Sequence, residues 1–258
     1  MRILFIGDIM GKAGRKAVEE FLPGLVASHQ IDLCIGNCEN AAGGFGVTPE
    51  IAEQLFQMGF EVLTSGNHIW DKKEVLPYLE RQGRLLRPAN YPPEAPGTGS
   101  VICEARSGKK VAVLNLQGRV FMECIDCPFK RADQEIPRLR SQTPIIVVDM
   151  HAETTSEKNA MGWYLDGRVS AVVGTHTHVP TADETILPAG TAYITDVGMT
   201  GPADSIIGIE KEPALRRFLH RIPQKFDPAK GPGRLQAVLL EIDAETGRAQ
   251  GITRVRVP

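Results

Sequence analysis

Five separate apolar runs in this chain each end in residues that can bind a cation, and this repeated pattern restricts the fold more than any other feature. Ile3-Leu4-Phe5-Ile6 leads into Gly7-Asp8, Leu33-Cys34-Ile35 into Gly36-Asn37-Cys38-Glu39-Asn40, and Val62-Leu63-Thr64 into Ser65-Gly66-Asn67-His68. Ile145-Ile146-Val147-Val148 leads into Asp149-Met150-His151, and Val169-Ser170-Ala171-Val172-Val173 into Gly174-Thr175-His176-Thr177-His178. When the strands of an open sheet run the same way, their carboxyl ends share one edge, where α/β proteins bind ligands. The pattern therefore delivers Asp8, Glu39, Asn40, Asn67, His68, His151, His176 and His178 to one crevice. Two imidazoles at i, i+2 directly after a strand and a glycine are placed to hold metal. The whole set offers oxygen and nitrogen donors, no thiolate, and enough groups for two cations. That chemistry suits iron, manganese or zinc better than calcium or a structural zinc site.

Between the runs the sequence has a β-α-β rhythm. Lys12 to Leu22 carries a helical apolar pattern through Ala13, Ala17 and Phe21, which Pro23-Gly24 should end. Thr48-Pro49-Glu50 reads as an N-cap, an N1 proline and a dipole-matched acid, starting a helix through Met58 that Gly59 closes. Asp71 to Glu74 reads as a capping box for a helix that packs Val75, Leu76 and Leu79 inward. Ser100–Glu104 and Lys110–Leu116 flank Ser107-Gly108 as an antiparallel hairpin. Residues 117–143 are less patterned and predict either a helix or a cap over the site. A helix over Glu157–Leu165 follows. Thr191–Thr195, Leu235–Ile242 and Gln250–Val257 read as antiparallel strands, and Phe226–Gly233 as a long surface loop. The expected fold class is α/β: a four-layer α/β/β/α sandwich with two mixed sheets, one domain over residues 1–258 rather than two small ones.

Composition narrows the function classes. With 42% hydrophobic and 23% charged residues the chain is neither a disordered nor a membrane protein. No apolar run approaches about 18 residues, and Met1-Arg2-Ile3 enters a strand at once, so a cytoplasmic location is expected. A net charge of -2 gives no basic footprint for nucleic acid. An RNA partner is thus unsupported by charge, while a homo-oligomer is left open. Five cysteines, an odd number, fit reduced thiols better than a disulfide framework. Cys124 and Cys127 have half-zinc spacing, but no second C-x-x-C exists to complete it. Gly7 to Ala13 fails as a phosphate loop: it is one residue short between its glycines, and Ala13 stands where a hydroxyl would bind Mg²⁺.

The order Asp, acidic residue with Asn, Gly-Asn-His, lone His and Gly-x-His-x-His resembles the calcineurin-like metallophosphoesterase superfamily. The likeness runs to about Asp196. The variant Asp8-Ile9-Met10-Gly11, the Glu39-Asn40-Ala41-Ala42-Gly43-Gly44 stretch and Gly66-Asn67-His68-Ile69-Trp70-Asp71 look like the YmdB-type bacterial phosphodiesterases within it. By position, the resemblance implies Asp8, Glu39, Asn67, His151, His176 and His178 as ligands of two metals. Two departures stand out. Met10 replaces the histidine of the usual Asp-x-His, and the bridging acid is Glu39, with Asn40 offering an amide oxygen in place of the missing imidazole. Asp8, Glu39, Asn40 and His178 are then expected on the first ion, and Glu39, Asn67, His151 and His176 on the second.

Adjacent residues on an extended backbone face opposite ways, so Asn67 and His68 should not share an ion. The resemblance makes His68 the general acid, opposite attack by a metal-bridging hydroxide. Asp71 is near enough in sequence to orient His68, although N-capping is its favoured role. The implied activity is dinuclear metal-dependent hydrolysis of small phosphodiesters, 2′,3′-cyclic nucleotides foremost. A phosphomonoesterase, a nuclease, or a regulatory nucleotide- or RNA-binding protein with a vestigial metal site are the alternatives.

Overall fold

The computed structural model describes residues 1–258. In chain order the strands are β1 (Arg2–Ile6), β2 (Asp8–Ile9), β3 (Leu33–Asn37), β4 (Val62–Thr64), β5 (Ser100–Glu104), β6 (Lys110–Gln117), β7 (Ile146–His151), β8 (Ala171–Thr175), β9 (Thr185–Ile186), β10 (Ala192–Ile194), β11 (Met199–Pro202), β12 (Gly233–Ile242) and β13 (Ala249–Val257). The α-helices are α1 (Gly11–His29), α2 (Pro49–Gln57), α3 (Leu76–Leu79), α4 (Pro128–Arg140), α5 (Thr155–Leu165) and α6 (Lys211–His220). One sheet has the order β2-β11-β12-β1-β3-β4, with β13 paired to β12; the other has the order β5-β6-β7-β8-β10-β9.

Side-chain alternation along the strands builds the layers. In β1, Leu4 and Ile6 join the core under α1 and α2, while Ile3 and Phe5 point the other way. There they meet Val111, Val113, Val147 and Val173 of the second sheet, forming the middle core. On the far face, Val148 and Met150 of β7 pack against Ile136 and Leu139 of α4 and Met161 of α5. Three cores between four layers are the α/β/β/α sandwich expected from sequence. No helix is long and apolar enough to cross a membrane.

Several local expectations need correction. Helix α1 does not stop at Pro23 but runs through it to His29 and closes on Gln30 in the left-handed region. Pro23 and Glu19 are both exposed, so the backbone carbonyl that loses its partner is solvated, while buried Leu22 holds the helix to the sheet. The Asp71–Glu74 capping box does not form. A 3-10 turn over Asn67–Trp70, another over Lys73–Val75 and the single turn of α3 take its place, with Lys72 and no side-chain bond at the cap of the second turn. Pro77 lies at the start of α3, a position where its missing N–H breaks no helical bond. Strand β10 lies parallel to β8 and antiparallel only to the short β9, not antiparallel throughout. Within 117–143, α4 packs its Ala132, Ile136 and Leu139 under the second sheet and does not cap the crevice. Thr48 caps α2 as expected, its hydroxyl accepting from the Ile51 N–H at 3.3 Å.

The parallel strands β1, β3 and β4 lie in the first sheet, and β6, β7, β8 and β10 in the second. The crevice is therefore fed from both sheets, not from the edge of one.

Candidate metal centre

All eight residues singled out from the sequence converge where these strand ends meet. His151, at the end of β7, is fully buried. Its Nε2 lies 3.1 Å from Glu39 Oε1, 3.2 Å from Asn67 Oδ1 and 3.0 Å from His176 Nδ1. Nearby, His178 Nε2 lies 3.2 Å from Asn40 Oδ1 and 3.9 Å from Asp8 Oδ1. Glu39, 1% exposed, lies on the His151 side, and its Oε2 accepts from the His68 N–H at 3.2 Å.

The close approach depends on backbone that few residues allow. A Cβ on Gly66 would stand 2.1 Å from the His151 ring and 2.4 Å from Glu39 Oε2, so the glycine of Gly-Asn-His makes room for the cluster. His176 and His178 both have positive φ, 99° and 66°. Such strain persists only where the surroundings fix it. Here Thr177, between them, donates its N–H and hydroxyl to Asp196, which also takes the buried Lys158 ammonium at 2.7 Å.

The ring orientations are set from behind. The Thr175 hydroxyl donates to Asp149 at 2.7 Å, so it accepts from His151 Nδ1 at 2.9 Å and leaves Nε2 for the cluster. The His178 Nδ1 donates to the Ile207 carbonyl at 2.8 Å, and His176 Nε2 donates to Glu153 at 3.0 Å. Asn40 donates its amide N–H to the Gly44 carbonyl at 3.0 Å, which turns its oxygen toward His178. Sequence reasoning missed these supports. Glu153 had a signal, an acid two residues beyond a singled-out histidine, whereas the Ile207 carbonyl had none.

His68 is arranged differently. It lies on the 3-10 turn with Asn67, not on an extended segment as expected. Successive side chains on such a turn diverge by about 120°, which separates the two as effectively. Asn67 faces His151, while His68 lines the cleft, its Nδ1 2.8 Å from Asp71 Oδ2. Asp71 thus orients His68 and is not a helix cap. Met10 is buried, 3% exposed, and lines the cleft without offering a nitrogen.

The electrostatics of the cluster suit a cation. Burial pushes the Asp8 carboxyl up to about 6 against the opposing pull of His178 and His151. Burial acts upward on Glu39 as well, yet the ion pair and hydrogen bond with His151 hold it at about 2. For His151 burial favours the neutral ring, but Glu39, Asp8 and Asp149 outweigh it and raise the value to about 9. Burial and the neighbouring His151 lower His176 to about 3. Buried acids thus gather positive charge onto one imidazole, which is the demand a cation would meet. Asp8 Oδ1 is also buried without any hydrogen-bond partner. Donor atoms of Glu39, His151 and His176 all lie within 4.8 Å of one another. Carboxylate, amide and imidazole donors without thiolate fit a hard or borderline metal ion.

The model of the YmdB-like protein family matches residues 4–255. The chain is 50% identical over 257 residues to the 2′,3′-cyclic-nucleotide 2′-phosphodiesterase of Bacillus subtilis (strain 168), covering 100% of this chain and 97% of that protein. It superposes with a TM-score of 0.93 on the crystal structure of a hypothetical protein from Thermus thermophilus, at 45% identity, covering 100% of this chain and 99% of the other. A crystal structure of a novel phosphatase from Mycoplasma pneumoniae gives the same TM-score at 37% identity, covering 100% and 93%. With the cluster, the sandwich and these matches in agreement, the chain belongs to the YmdB-like protein family, a family of metallophosphoesterases.

Proposed function

We propose that this chain is a metal-dependent phosphodiesterase of small phosphodiesters, with 2′,3′-cyclic nucleotides as its principal substrates. The observation that carries the reading is the pairing of His68 with Asp71 at the rim of the donor cluster. A carboxylate that accepts from Nδ1 leaves Nε2 toward the cleft, where it can deliver a proton to a departing oxygen. The Bacillus subtilis relative supports the substrate class by its activity.

Asp8, Glu39, Asn40 and His178 would hold one ion, and Glu39, Asn67, His151 and His176 the other, with iron or manganese foremost and zinc as an alternative. Bound there, two ions supply charge neutralisation and a nucleophile at neutral pH. The chain's own residues do the rest. Thr175, Glu153 and the Ile207 carbonyl keep the histidine rings aimed, and Asp71 keeps His68 aimed. In the reaction an oxygen of water bonds to phosphorus as that water releases a proton to solvent, one ribose P–O bond breaks, and His68 passes its proton to the departing ribose oxygen and is reprotonated from solvent, giving a nucleoside monophosphate.

Turnover of bis-p-nitrophenyl phosphate compared with p-nitrophenyl phosphate, after loading with iron or manganese, tests the reading. Preference for the diester, with adenosine 2′,3′-cyclic phosphate cleaved in the same preparation, is expected. Preference for the monoester would make the enzyme a phosphomonoesterase.

A further inference from the structure

The cleft beside the cluster has a volume of about 230 Å³, and most of its polar lining is already bonded. The Thr177 hydroxyl is bonded to Asp196, Glu153 to His176, and Asn40 to Gly44 and His178. Apart from His68 Nε2 and one oxygen of the half-exposed Glu153, what remains is apolar: Phe45, Met10, Ile207 and Ile209. Two of these are unusual. Phe45 stands between Gly44 and Gly46, whose φ values of +95° and +76° suit glycine, and its ring centroid lies 5.0 Å from that of His68 at an interplanar angle of 68°. Ile207 is 49% exposed and has φ +46°. A β-branched residue in the left-handed region is a strained exception, and such strain concentrates at functional sites.

The turn that holds Ile207 is well determined. Ile206 and Ile209 exchange backbone hydrogen bonds at 3.0 and 2.9 Å, and the Gly208 N–H donates to the Ser205 hydroxyl at 3.0 Å. The Ile207 carbonyl serves His178, but any residue could supply a carbonyl. Its side chain is free to serve the cleft.

We infer that Phe45 and Ile207 are the two walls of a nucleobase subsite that accepts any base. The inference rests on the phosphodiesterase reading and adds to it where the nucleoside lies. The oxygen that leaves is a ribose oxygen, and His68 protonates it, so ribose and base lie on the His68 side of the phosphate. Phe45 is the aromatic surface on that side. Every base has a face that stacks on an aromatic ring, so stacking binds without choosing among bases. Choosing needs donors or acceptors at the base edge, and neither Phe45 nor Ile207 carries a polar side-chain atom.

Two variants and two substrates test this. Ile207→Asn keeps a residue that tolerates the left-handed region and replaces the apolar wall with an amide. Phe45→Ala removes the stacking surface. Turnover is compared on adenosine 2′,3′-cyclic phosphate and on methyl riboside 2,3-cyclic phosphate, which has no base. The preference of the wild-type enzyme for the nucleoside, as a ratio of kcat/KM values, should fall by about tenfold in Phe45→Ala, mostly through KM. It should fall by a smaller factor in Ile207→Asn, whose thermal midpoint should not drop. The wild-type enzyme should treat the adenosine, guanosine, cytidine and uridine cyclic phosphates within a few-fold of one another.

An unchanged ratio in both variants, or no wild-type preference for the nucleoside over the riboside, overturns the subsite. A large spread among the four bases overturns its indifference to base. If neither cyclic phosphate is turned over, the phosphodiesterase reading fails, and calorimetry with adenosine 3′-monophosphate reads the walls alone. About tenfold weaker binding by Phe45→Ala supports them, and equal binding refutes them.

Discussion

The two halves of the donor cluster are supported in unlike ways. His151 ends an interior strand, is fully buried, and is backed by Thr175, which is backed in turn by Asp149. Asp149 also takes Thr64 at 2.5 Å and Asn37 at 3.1 Å. Asn40 and His178 hang instead on loops, held by the Gly44 and Ile207 carbonyls, as His176 is by Glu153, while Asp8 of their half is a buried residue of β2. A ligand fixed by sheet and core should lose little freedom on binding an ion, and a ligand on a loop should lose more. His151 therefore gives its half, the deep one, the firmer histidine, and that half is expected to bind its ion more tightly than the shallow half that depends on His178.

The largest effects test that contrast directly. His151→Ala or His176→Ala should abolish the deep ion and cut turnover on the order of a thousandfold or more, since a two-ion clamp does not operate with one ion. His178→Ala should lose the shallow ion while elemental analysis still finds about one ion per chain. Equal loss of both ions in all three variants would erase the distinction between the halves. Thr175→Val removes only the support behind His151, and should weaken the deep ion by roughly 10–100-fold.

His68 belongs to neither half, and its variant separates proton donation from metal binding. His68→Ala should keep the metal content and cut turnover of adenosine 2′,3′-cyclic phosphate by about 10²–10⁴-fold. Bis-p-nitrophenyl phosphate, whose leaving group needs little protonation, should suffer far less. Equal losses on the two substrates would assign His68 to substrate positioning, and a loss of metal would make it a ligand. Asp71→Asn should follow the same pattern with a smaller loss.

What can be read from the sequence follows the same division between sheet and loop. Strand ends are marked by apolar runs, so Asp8, Glu39, Asn67, His151, His176 and His178 are visible as a set in the sequence itself. The four layers are visible too, because β1, β3, β7 and β8 are short and buried on both faces. Supports that come from distant loops have no such mark. Nothing in Ser205 to Ile209 suggests a turn whose carbonyl aims His178, and the sequence pattern does not announce β2, β11 or α6. Pro23 and the Asp71–Glu74 stretch mislead because local rules favour a helix stop and a cap. In the fold, packing of α1 overrides the first, and the demand of His68 for a partner claims Asp71 from the second.

The smallest effect concerns the proton that the deep half holds when no ion is bound. His151 is raised from its ordinary 6.5 to about 9 by Glu39, Asp8 and Asp149, which overcome the burial that acts against its charge. A histidine whose folded value exceeds its unfolded one adds stability in full below the unfolded value, and that contribution is lost as pH rises through the folded value. Glu39, held at about 2, and His176, at about 3, lie well below this window, and Asp8, at about 6, lies at its lower edge. Metal-free protein should therefore melt at progressively lower temperature as pH rises from about 6.5 to 9, and the part due to His151 is the part its variant removes. The loaded enzyme should not, because an ion on Nε2 already requires the neutral ring. Thermal melts of both forms across that range make the comparison, with His151→Gln as the control that removes the slope. A metal-free protein whose midpoint is flat across the window would mean that the deep half is neutral before it binds, and that its charge is not what the ion replaces.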